Sequence, residues 1–301
     1  VRRRDSRVMF AGMGGERMRV AGVRLVADAG ETAVVGVAEL WEKRKALRSA
    51  LAALRSHLAA ERPALLICID FPDFNFLVAR AARRLGIPVC YFISPQIWAW
   101  RRGRIRTIRR LVRKMLVLFP FEETMYRAAG VDVTFVGHPL LDALADVPDR
   151  DVCRSRLGLE AGARVVGLLP GSRSAEIRRH LPILLEAASR IRAEFADATV
   201  SVALADGRER TTVERLVAEM SSAVAVVEGR THELLRASDV LLAVSGTVTL
   251  EAAILGTPMV ITYRLGPLSG WLARRLIRVR FVGLPNLVAE EGIVPELLQQ
   301  E

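Results

Sequence analysis

Two strand-to-helix turns in the second half of the chain carry residues suited to binding an anion. The first is Leu-Pro-Gly-Ser-Arg over residues 169–173. Gly171 lets the backbone approach a ligand closely, Ser172 continues the turn, and Arg173 offers a forked cation to phosphate oxygens. The helix that follows adds amides that have no partner within it. An ordinary turn with a solvated arginine explains this segment equally well.

The second turn is Ser-Gly-Thr, which again separates an apolar run from a helical pattern. Ser245, Gly246 and Thr247 can offer amides and hydroxyls to a diphosphate. Glu251 lies four residues after Thr247, on the same helix face, where a carboxylate can accept both hydroxyls of a ribose. The alternative is a capped helix with an acidic first turn. Two such turns favour a nucleotide diphosphate, and neither is a Walker loop, because no Gly-Lys-Ser/Thr follows.

In the first half of the chain, Asp70 closes a continuous apolar run over residues 64–69. Such a run predicts a parallel strand buried on both faces. A carboxylate at its end can deprotonate a sugar hydroxyl, or it can be a structural group that accepts bonds from loop amides. Asp73 and Asn75 are candidate caps of the next helix.

Further along, Trp98 and Trp100 suit contacts with sugar or acyl groups, or positions in the core. Two basic and apolar stretches, 101–114 and 271–280, suit an anionic membrane surface or solvated helix faces. His138 follows another strand-like run and is a candidate for the cleft or for the core. Because the histidines form no pair at i+3 or i+4, we predict no metal site.

Strand-like and helix-like segments alternate along almost the whole chain, which predicts right-handed βαβ units and parallel sheets. The series begins again near residues 142–160. We therefore predict an α/β fold with two doubly wound, Rossmann-like domains, residues 1–145 and 155–301, that face a cleft. Ligands of such sheets bind beyond the carboxyl ends of the strands, where the candidate residues fall.

The composition fits this organisation. The chain has 301 residues, of which 51% are hydrophobic and 26% charged, so two globular domains are expected and disorder is not. The net charge of +11 suits a phosphorylated substrate, anionic lipid or nucleic acid. The three cysteines match neither a zinc site nor a disulfide framework, which favours the cytoplasm. No apolar run is long enough to span a membrane.

Seven ordered segments make the chain resemble the lipid-A-disaccharide synthases. They are Asp-Phe-Pro-Asp-Phe-Asn at 70–75, Ser-Pro-Gln-Ile-Trp-Ala-Trp at 94–100, Phe-Pro-Phe-Glu at 119–122, Phe-Val-Gly-His at 135–138, Leu-Pro-Gly-Ser-Arg at 169–173 with Glu176, Ser-Gly-Thr at 245–247 with Glu251, and Leu-Pro-Asn-Leu at 284–287. The resemblance implies the two-domain GT-B fold. It also implies an inverting, metal-independent transfer of diacylglucosamine from UDP-2,3-diacylglucosamine to 2,3-diacylglucosamine 1-phosphate, without a cofactor.

The same resemblance implies residue roles. Asp70 would be the general base on the acceptor's 6-hydroxyl, Arg173 would bind the UDP phosphates, and Asn286 matches a position implicated in activity, which we place with the UDP site. Candidate acceptor or acyl contacts are Asp73, Trp98, Trp100 and His138. The implied location is the cytoplasmic face of the inner membrane, on an anionic lipid surface. A homodimer is a candidate assembly, and no nucleic acid is expected.

Relative to the family pattern, we expect segments at both ends to lie outside this sequence. They are a first strand with a Gly-Glu-x-Ser-Gly-Asp loop before residue 1 and helices after residue 301. Two other functions stay open. One is a different GT-B enzyme that uses UDP-GlcNAc, either an epimerase or a lipid-linked GlcNAc transferase. The other is a non-enzymatic binder of anionic lipid or nucleic acid, with salt-sensitive binding.

Overall fold

A computed structural model of the chain describes residues 5, 7–28, 37–98, 103–205, 207–220, 224–264 and 280–298, with only the backbone at 37–43. Trp100 and nearly all of the second basic stretch lie outside these residues. The chain divides into two compact units, residues 1–137 and 138–301. The boundary precedes the expected linker, because the two helices at 139–157 belong to the second unit.

In the first unit, parallel strands alternate with helices. The elements are β1 Ala11–Gly14, α1 Glu16–Val20, β2 Arg24–Asp28, α2 Val37–Glu61, β3 Leu66–Ile69, α3 Pro72–Arg84, β4 Val89–Phe92, α4 Arg104–Leu111, β5 Lys114–Val117, α5 Pro120–Ala128 and β6 Val133–Phe135. Strands β1 and β2 form one parallel sheet, and β3-β4-β5-β6 form a second. One core cluster contains side chains from both sheets and from α2, α3 and α4.

Strand β3 corrects one prediction, because it is not buried on both faces. Cys68 is 2% exposed, whereas Ile67 and Ile69, on the opposite face, are 44% and 50% exposed. Within the described part of the chain β3 pairs only with β4, so it is an edge strand. An apolar run shows that a strand can be buried, but the neighbouring elements decide whether it is.

The second unit contains one six-stranded parallel sheet. Its elements are α6 Pro139–Leu144, α7 Arg150–Leu157, β7 Arg164–Leu169, α8 Ser174–Glu194, β8 Ala198–Leu204, α9 Arg210–Glu219, β9 Ala225–Glu228, α10 Thr231–Ala237, β10 Val240–Val244, α11 Thr247–Ile254, β11 Met259–Tyr263, α12 Leu284–Ala289 and β12 Glu296–Leu298. The strand order is β12-β11-β10-β7-β8-β9. The chain builds outward from β7 in one direction and from β10 in the other, so the order reverses between them.

Helices pack on both faces of this sheet. One core cluster joins α8 and α9 to the strands through residues such as Ile177, Leu181 and Val213. A second cluster joins α6, α10 and α11 to the strands through Leu144, Leu234 and Ala252. The unit is therefore doubly wound, as the alternation of elements predicts.

Candidate functional site

The two anion-ready turns leave neighbouring strands at the point where the strand order reverses. Ala243 of β10 pairs with Leu169 of β7, and both strands end within one residue of that pair. Ligands of open α/β sheets bind at this position, because the crossovers on its two sides leave in opposite directions and open a crevice. The structure therefore brings together the segments 170–173 and 245–247, which are far apart in sequence.

At the first turn, a carboxylate of the chain itself fills the helix start. Glu176 Oε2 accepts the amides of Ser172 and Arg173 at 3.3 and 3.4 Å, and Oε1 pairs with the Arg173 guanidinium at 2.7 Å. Two features favour glycine at position 171. Its φ is +99°, and a Cβ there would lie 2.7 Å from Glu176 Oε2. The Arg173 side chain is 81% exposed, which leaves it free to turn toward a ligand.

At the second turn, Ser245 is held from two sides. Its amide donates to Thr262 O and its hydroxyl donates to Val282 O, each at 3.1 Å. The hydroxyl therefore ties the turn to the segment before α12. Helix α11 begins at Thr247, and the first amides of a helix have no acceptor within it. The backbone of this turn, rather than the Ser245 hydroxyl, offers the donors.

Glu251 has a partner that the sequence did not single out. Its Oε2 lies 3.3 Å from His232 Nε2, on the first turn of α10, and its side chain is 17% exposed. The pairing uses one carboxylate oxygen and holds the side chain in place. A contact between side chains of two helices gives no sequence signal, because the spacing between the partners is not fixed.

Asn286 is 1% exposed and its whole amide is engaged within the unit. Nδ2 donates to Val294 O at 2.8 Å and to Glu296 Oε1 at 2.7 Å, and Oδ1 accepts the Val294 amide at 2.9 Å. Glu296 also accepts the amides of Val282 and Gly283. In this structure Asn286 and Glu296 fix the segment that Ser245 contacts.

In the first unit, Asp70 lies at the carboxyl end of β3 and is exposed. Its carbonyl oxygen accepts the Tyr91 hydroxyl and Asn75 Nδ2, each at 2.7 Å. We expected Asn75 to be a candidate cap of α3, but its side chain bonds to the preceding strand end instead. The N-cap position is held by Phe71, which makes no side-chain hydrogen bond. Asp73 also makes no cap. It pairs with Arg104 across α3 and α4.

Trp98 is half-buried and packs within its own unit. Its indole Nε1 donates to Glu122 Oε1 at 3.3 Å, and its ring stands edge-on to Phe121, with centroids 5.5 Å apart. Glu122 is 3% exposed. Burial raises the pKa of its carboxyl, although bonds from Trp98 and from the amides of Phe119 and Leu118 oppose the shift.

His138 belongs to the second unit, where it caps α6. Its Nδ1 accepts the Leu140 amide at 3.1 Å. Burial lowers the pKa of its imidazole, which favours the neutral ring that can accept this bond. No group of three His, Cys, Asp or Glu side chains in the described ranges could hold a metal ion. No helix among the described residues combines the length and apolar character needed to cross a membrane.

Solved structures share this architecture. A UDP-GlcNAc 2-epimerase from Methanocaldococcus jannaschii, in complex with UDP-GlcNAc and UDP, matches with a TM-score of 0.61 and 13% identity, over 96% of this chain and 89% of that one. The Neisseria meningitidis UDP-GlcNAc 2-epimerase, bound to UDP-GlcNAc, matches with a TM-score of 0.59 and 12% identity, over 94% and 90%. At these identities the likeness shows the fold alone, which is of the GT-B type.

Sequence comparison is more specific. The family model described as lipid-A-disaccharide synthetase matches residues 2–301. The lipid-A-disaccharide synthase of Geobacter sulfurreducens is 46% identical over 299 residues, which is 99% of this chain and 78% of that protein. The Myxococcus xanthus enzyme of the same name is 42% identical over 301 residues, 100% of this chain and 79% of that one. The chain belongs to the lipid-A-disaccharide synthase family of glycosyltransferases.

Proposed function

We propose that this chain transfers diacylglucosamine from UDP-2,3-diacylglucosamine to the 6-hydroxyl of 2,3-diacylglucosamine 1-phosphate, with release of UDP. Family membership supports the reaction. The observation that carries the donor site is the pair of glycine-containing turns at the reversal of strand order, between β7 and β10. Each turn leads into a helix of at least eight residues, and a helix start attracts negative charge.

The donor half of the proposal assigns the diphosphate to these two turns. Arg173 and the first amides of α11, at Thr247 and Val248, bind the phosphate oxygens, and Glu251 accepts the ribose hydroxyls. In the reaction the bond between the anomeric carbon and the UDP oxygen breaks, and negative charge grows on the diphosphate. Arginine and helix amides stabilise that charge, which a divalent ion does in other transferases. Chelation with EDTA is then expected to leave the rate unchanged.

The acceptor half assigns Asp70 as the general base. As the acceptor's 6-oxygen attacks the anomeric carbon, the carboxylate takes the hydroxyl proton, and the attack from the face opposite UDP inverts the configuration. Exposure of Asp70 at a strand end suits this task. Asp73 follows the end of β3 and Trp98 follows the end of β4. We assign both side chains to the surroundings of the acceptor.

Calorimetric titration with UDP tests the donor site. We expect Arg173→Ala to weaken UDP binding about tenfold or more, because it removes a charge-assisted contact. Arg178→Ala is the matched control, since Arg178 is an exposed arginine on the same helix. Asp70→Ala keeps the UDP affinity within a few-fold and abolishes transfer. Absence of UDP binding by the wild type, or an equal loss in both arginine variants, contradicts the donor assignment.

We further propose that the first unit docks on the anionic cytoplasmic face of the inner membrane. The basic stretch predicted for this role includes α4, but Ile108 and Leu111 of that helix are buried in the core, so it cannot insert an apolar face. What remains is a set of exposed arginines on the neighbouring helices α3 and α4, which we call the arginine face. Its exposed members are Arg80, Arg83, Arg84, Arg106, Arg109 and Arg110.

No carboxylate within the described residues pairs with this arginine face, whereas Arg104 beside it is paired with Asp73. Unpaired arginines near an anionic bilayer contribute roughly 1 kcal/mol each. We expect Arg106→Gln with Arg110→Gln to lower binding to phosphatidylglycerol vesicles by about tenfold or more, with little binding to phosphatidylcholine vesicles by any form.

The matched control removes the same charge elsewhere. Arg164 and Arg190 are exposed but are paired with Asp197 and Glu186, so Arg164→Gln with Arg190→Gln is expected to preserve vesicle binding. Equal losses of vesicle binding in the two double variants would show that binding depends on net charge and not on the arginine face. Binding to duplex DNA as tight as to vesicles, at the same salt concentration, would favour a nucleic-acid partner instead.

A further inference from the structure

Left-handed backbone at non-glycine residues is concentrated at the carboxyl ends of β3 and β4. Asp70 and Phe71 have φ 45° and 43°, and Ile93, directly after β4, has φ 67°. This conformation is unfavourable for L-residues because Cβ crowds the following carbonyl oxygen, and most of all for a β-branched residue. It persists only where the surroundings enforce it, and such residues cluster at functional sites.

Two side chains enforce it at Asp70. Asn75 Nδ2 donates to the carbonyl oxygens of Ile69 and Asp70, at 3.1 and 2.7 Å. The Tyr91 hydroxyl donates to the same Asp70 oxygen at 2.7 Å. The Asp70 amide donates in turn to Phe92 O at 3.0 Å. The main chain on both sides of the Asp70 side chain is thus fixed to α3 and to β4.

Both polar groups donate to the strand end, although the Tyr91 ring also packs against Phe76 in the core. Asn75 lies on α3, but its side chain reaches back to the strand end instead of capping the helix. The Tyr91 ring, on β4, is fully buried, and burial raises the pKa of its hydroxyl, so the hydroxyl stays protonated and donates its hydrogen bond. A buried tyrosine hydroxyl needs a partner, and here that partner is the carbonyl of Asp70.

We propose that Asn75 and Tyr91 are positioning residues, which hold the Asp70–Phe71 turn in its left-handed conformation and so aim the Asp70 carboxylate at the acceptor hydroxyl. The inference rests on the proposed role of Asp70 as the general base. Without the two donors the turn relaxes to a common backbone conformation, and the carboxylate moves away from its working position. Neither residue needs to contact a substrate.

Kinetics test the catalytic consequence. We expect Tyr91→Phe and Asn75→Ala each to lower kcat by up to about 10²-fold, with KM and UDP affinity little changed, because misplacing a base by about 1 Å costs that much. Tyr126→Phe is the matched control. Tyr126 is 0% exposed, and its hydroxyl bonds Ser94 Oγ at 2.8 Å instead of a carbonyl at the strand end. We expect it to lose stability but to keep kcat within about twofold.

A double-mutant cycle in thermal stability tests the clamp without any need for turnover. Glycine adopts positive φ without strain, so Phe71→Gly relieves the strain at one of the two left-handed residues of the turn. Phe71 also stacks on Phe74 with ring centroids 5.5 Å apart, but that loss is common to both backgrounds and cancels in a double-mutant cycle. We expect the effect of Phe71→Gly on Tm to be more favourable by a few degrees in the wild type, where the turn is held in the strained conformation, than in Asn75→Ala, where the turn has relaxed. In the Asn75→Ala background we expect Phe71→Gly to restore part of kcat, because glycine makes the left-handed conformation accessible again.

Three results have distinct meanings. Equal Tm shifts from Phe71→Gly in the two backgrounds would overturn the clamp. Full kcat in both Tyr91→Phe and Asn75→Ala, with the thermal coupling present, would overturn its role in positioning the base. Absence of UDP release by the wild type, with UDP binding intact, would overturn the proposed function of Asp70 and leave the thermal cycle to decide the clamp.

Discussion

At the scale of single residues, glutamates of this chain occupy the helix starts at which a phosphate could bind. Glu122, Glu176 and Glu296 accept backbone amides at the beginnings of α5, α8 and α12, respectively. The positive end of a helix favours any anion, and a nearby carboxylate supplies one. Helix α11 differs, because its own Glu251 is paired with His232 instead. In the proposed donor site, the phosphates of UDP therefore have to compete with Glu176 at the first turn, whereas at the second turn Glu251 does not occupy the helix start.

This competition gives a prediction for Glu176→Gln. The variant removes the negative charge beside Arg173 and releases its guanidinium for the diphosphate, so we expect UDP to bind about 2- to 10-fold more tightly. The start of α8 loses its charged cap, and stability falls by about 0.5–2 kcal/mol. UDP calorimetry and thermal unfolding measure the two effects.

Glu186→Gln is the control, since Glu186 is an exposed carboxylate on the same helix that pairs with Arg190. It is expected to change neither quantity appreciably. Weaker UDP binding by Glu176→Gln would mean that Glu176 orients Arg173 for the ligand rather than competing with the ligand.

The sequence was sufficient to locate chemistry at the strand ends but not to assign each side chain its partner. Gly171 was predictable, because a glycine at a strand-to-helix turn marks a close approach of the backbone. The role of Asn75 was not predictable, because an asparagine at a helix start can either cap the helix or donate to the preceding strand. The sequence likewise gave no sign that Glu296, ten residues after Asn286, accepts a hydrogen bond from the Asn286 side-chain amide.

At the scale of elements, the apolar runs over residues 240–244 and 259–263 predict two strands. Strands β10, Val240–Val244, and β11, Met259–Tyr263, have these bounds. Strand β2, Arg24–Asp28, was missed although it is as long as β10, because only three apolar residues separate its charged ends. Strand β12, Glu296–Leu298, was missed because it has only three residues and begins with a glutamate. The sequence also does not distinguish edge strands from central ones, since an apolar run such as that of β3 predicts a strand but not the number of neighbouring strands.

One carboxylate fastens helix α7 to the sheet of the second unit. Asp239 accepts the Val165 amide at 2.7 Å and the Arg154 guanidinium at 2.9 Å, and it also pairs with Arg150. Arg154 is only 5% exposed. Burial of Asp239 opposes its ionisation, but the Val165 amide and the two arginines outweigh burial and lower the pKa of its carboxyl.

We therefore expect Asp239→Asn to destabilise the second unit by about 1–3 kcal/mol at pH 7, a range that allows for the exposed side of the carboxylate. Because the folded-state pKa is depressed, the stabilisation is present above about pH 4 and is lost as the pH falls through the lowered value. Denaturant unfolding from pH 7 to 3 is then expected to show the wild type and the variant converging in acid.

Asp197→Asn provides the comparison for this prediction. Its pair with Arg164 is more than half exposed on both sides, so we expect a change within about 0.5 kcal/mol. A gap between wild type and Asp239→Asn that stays constant with pH would show that the carboxylate's charge is not what fastens α7.

At the scale of the whole molecule, the net charge is +11. The arginines that contribute to it differ in whether a carboxylate pairs with them. Many arginines of the second unit are paired, as Arg164, Arg190 and Arg215 are with Asp197, Glu186 and Glu219. The arginine face of α3 and α4 has no such partners within the described residues. Charges of one sign at this density repel one another and oppose the compact state.

Added salt is therefore expected to stabilise the chain. Repulsion within the arginine face is screened as the Debye length falls from about 30 Å at 0.01 M to about 10 Å at 0.1 M, whereas exposed ion pairs lose only a small attraction. We expect the Tm to rise by a few degrees over this range. Arg106→Gln with Arg110→Gln is expected to reduce the rise, because part of the repulsion is already gone, and Arg164→Gln with Arg190→Gln to increase it slightly. A Tm that falls with salt in the wild type would show that attractive pairs outweigh the repulsion and that the arginine face has compensating partners.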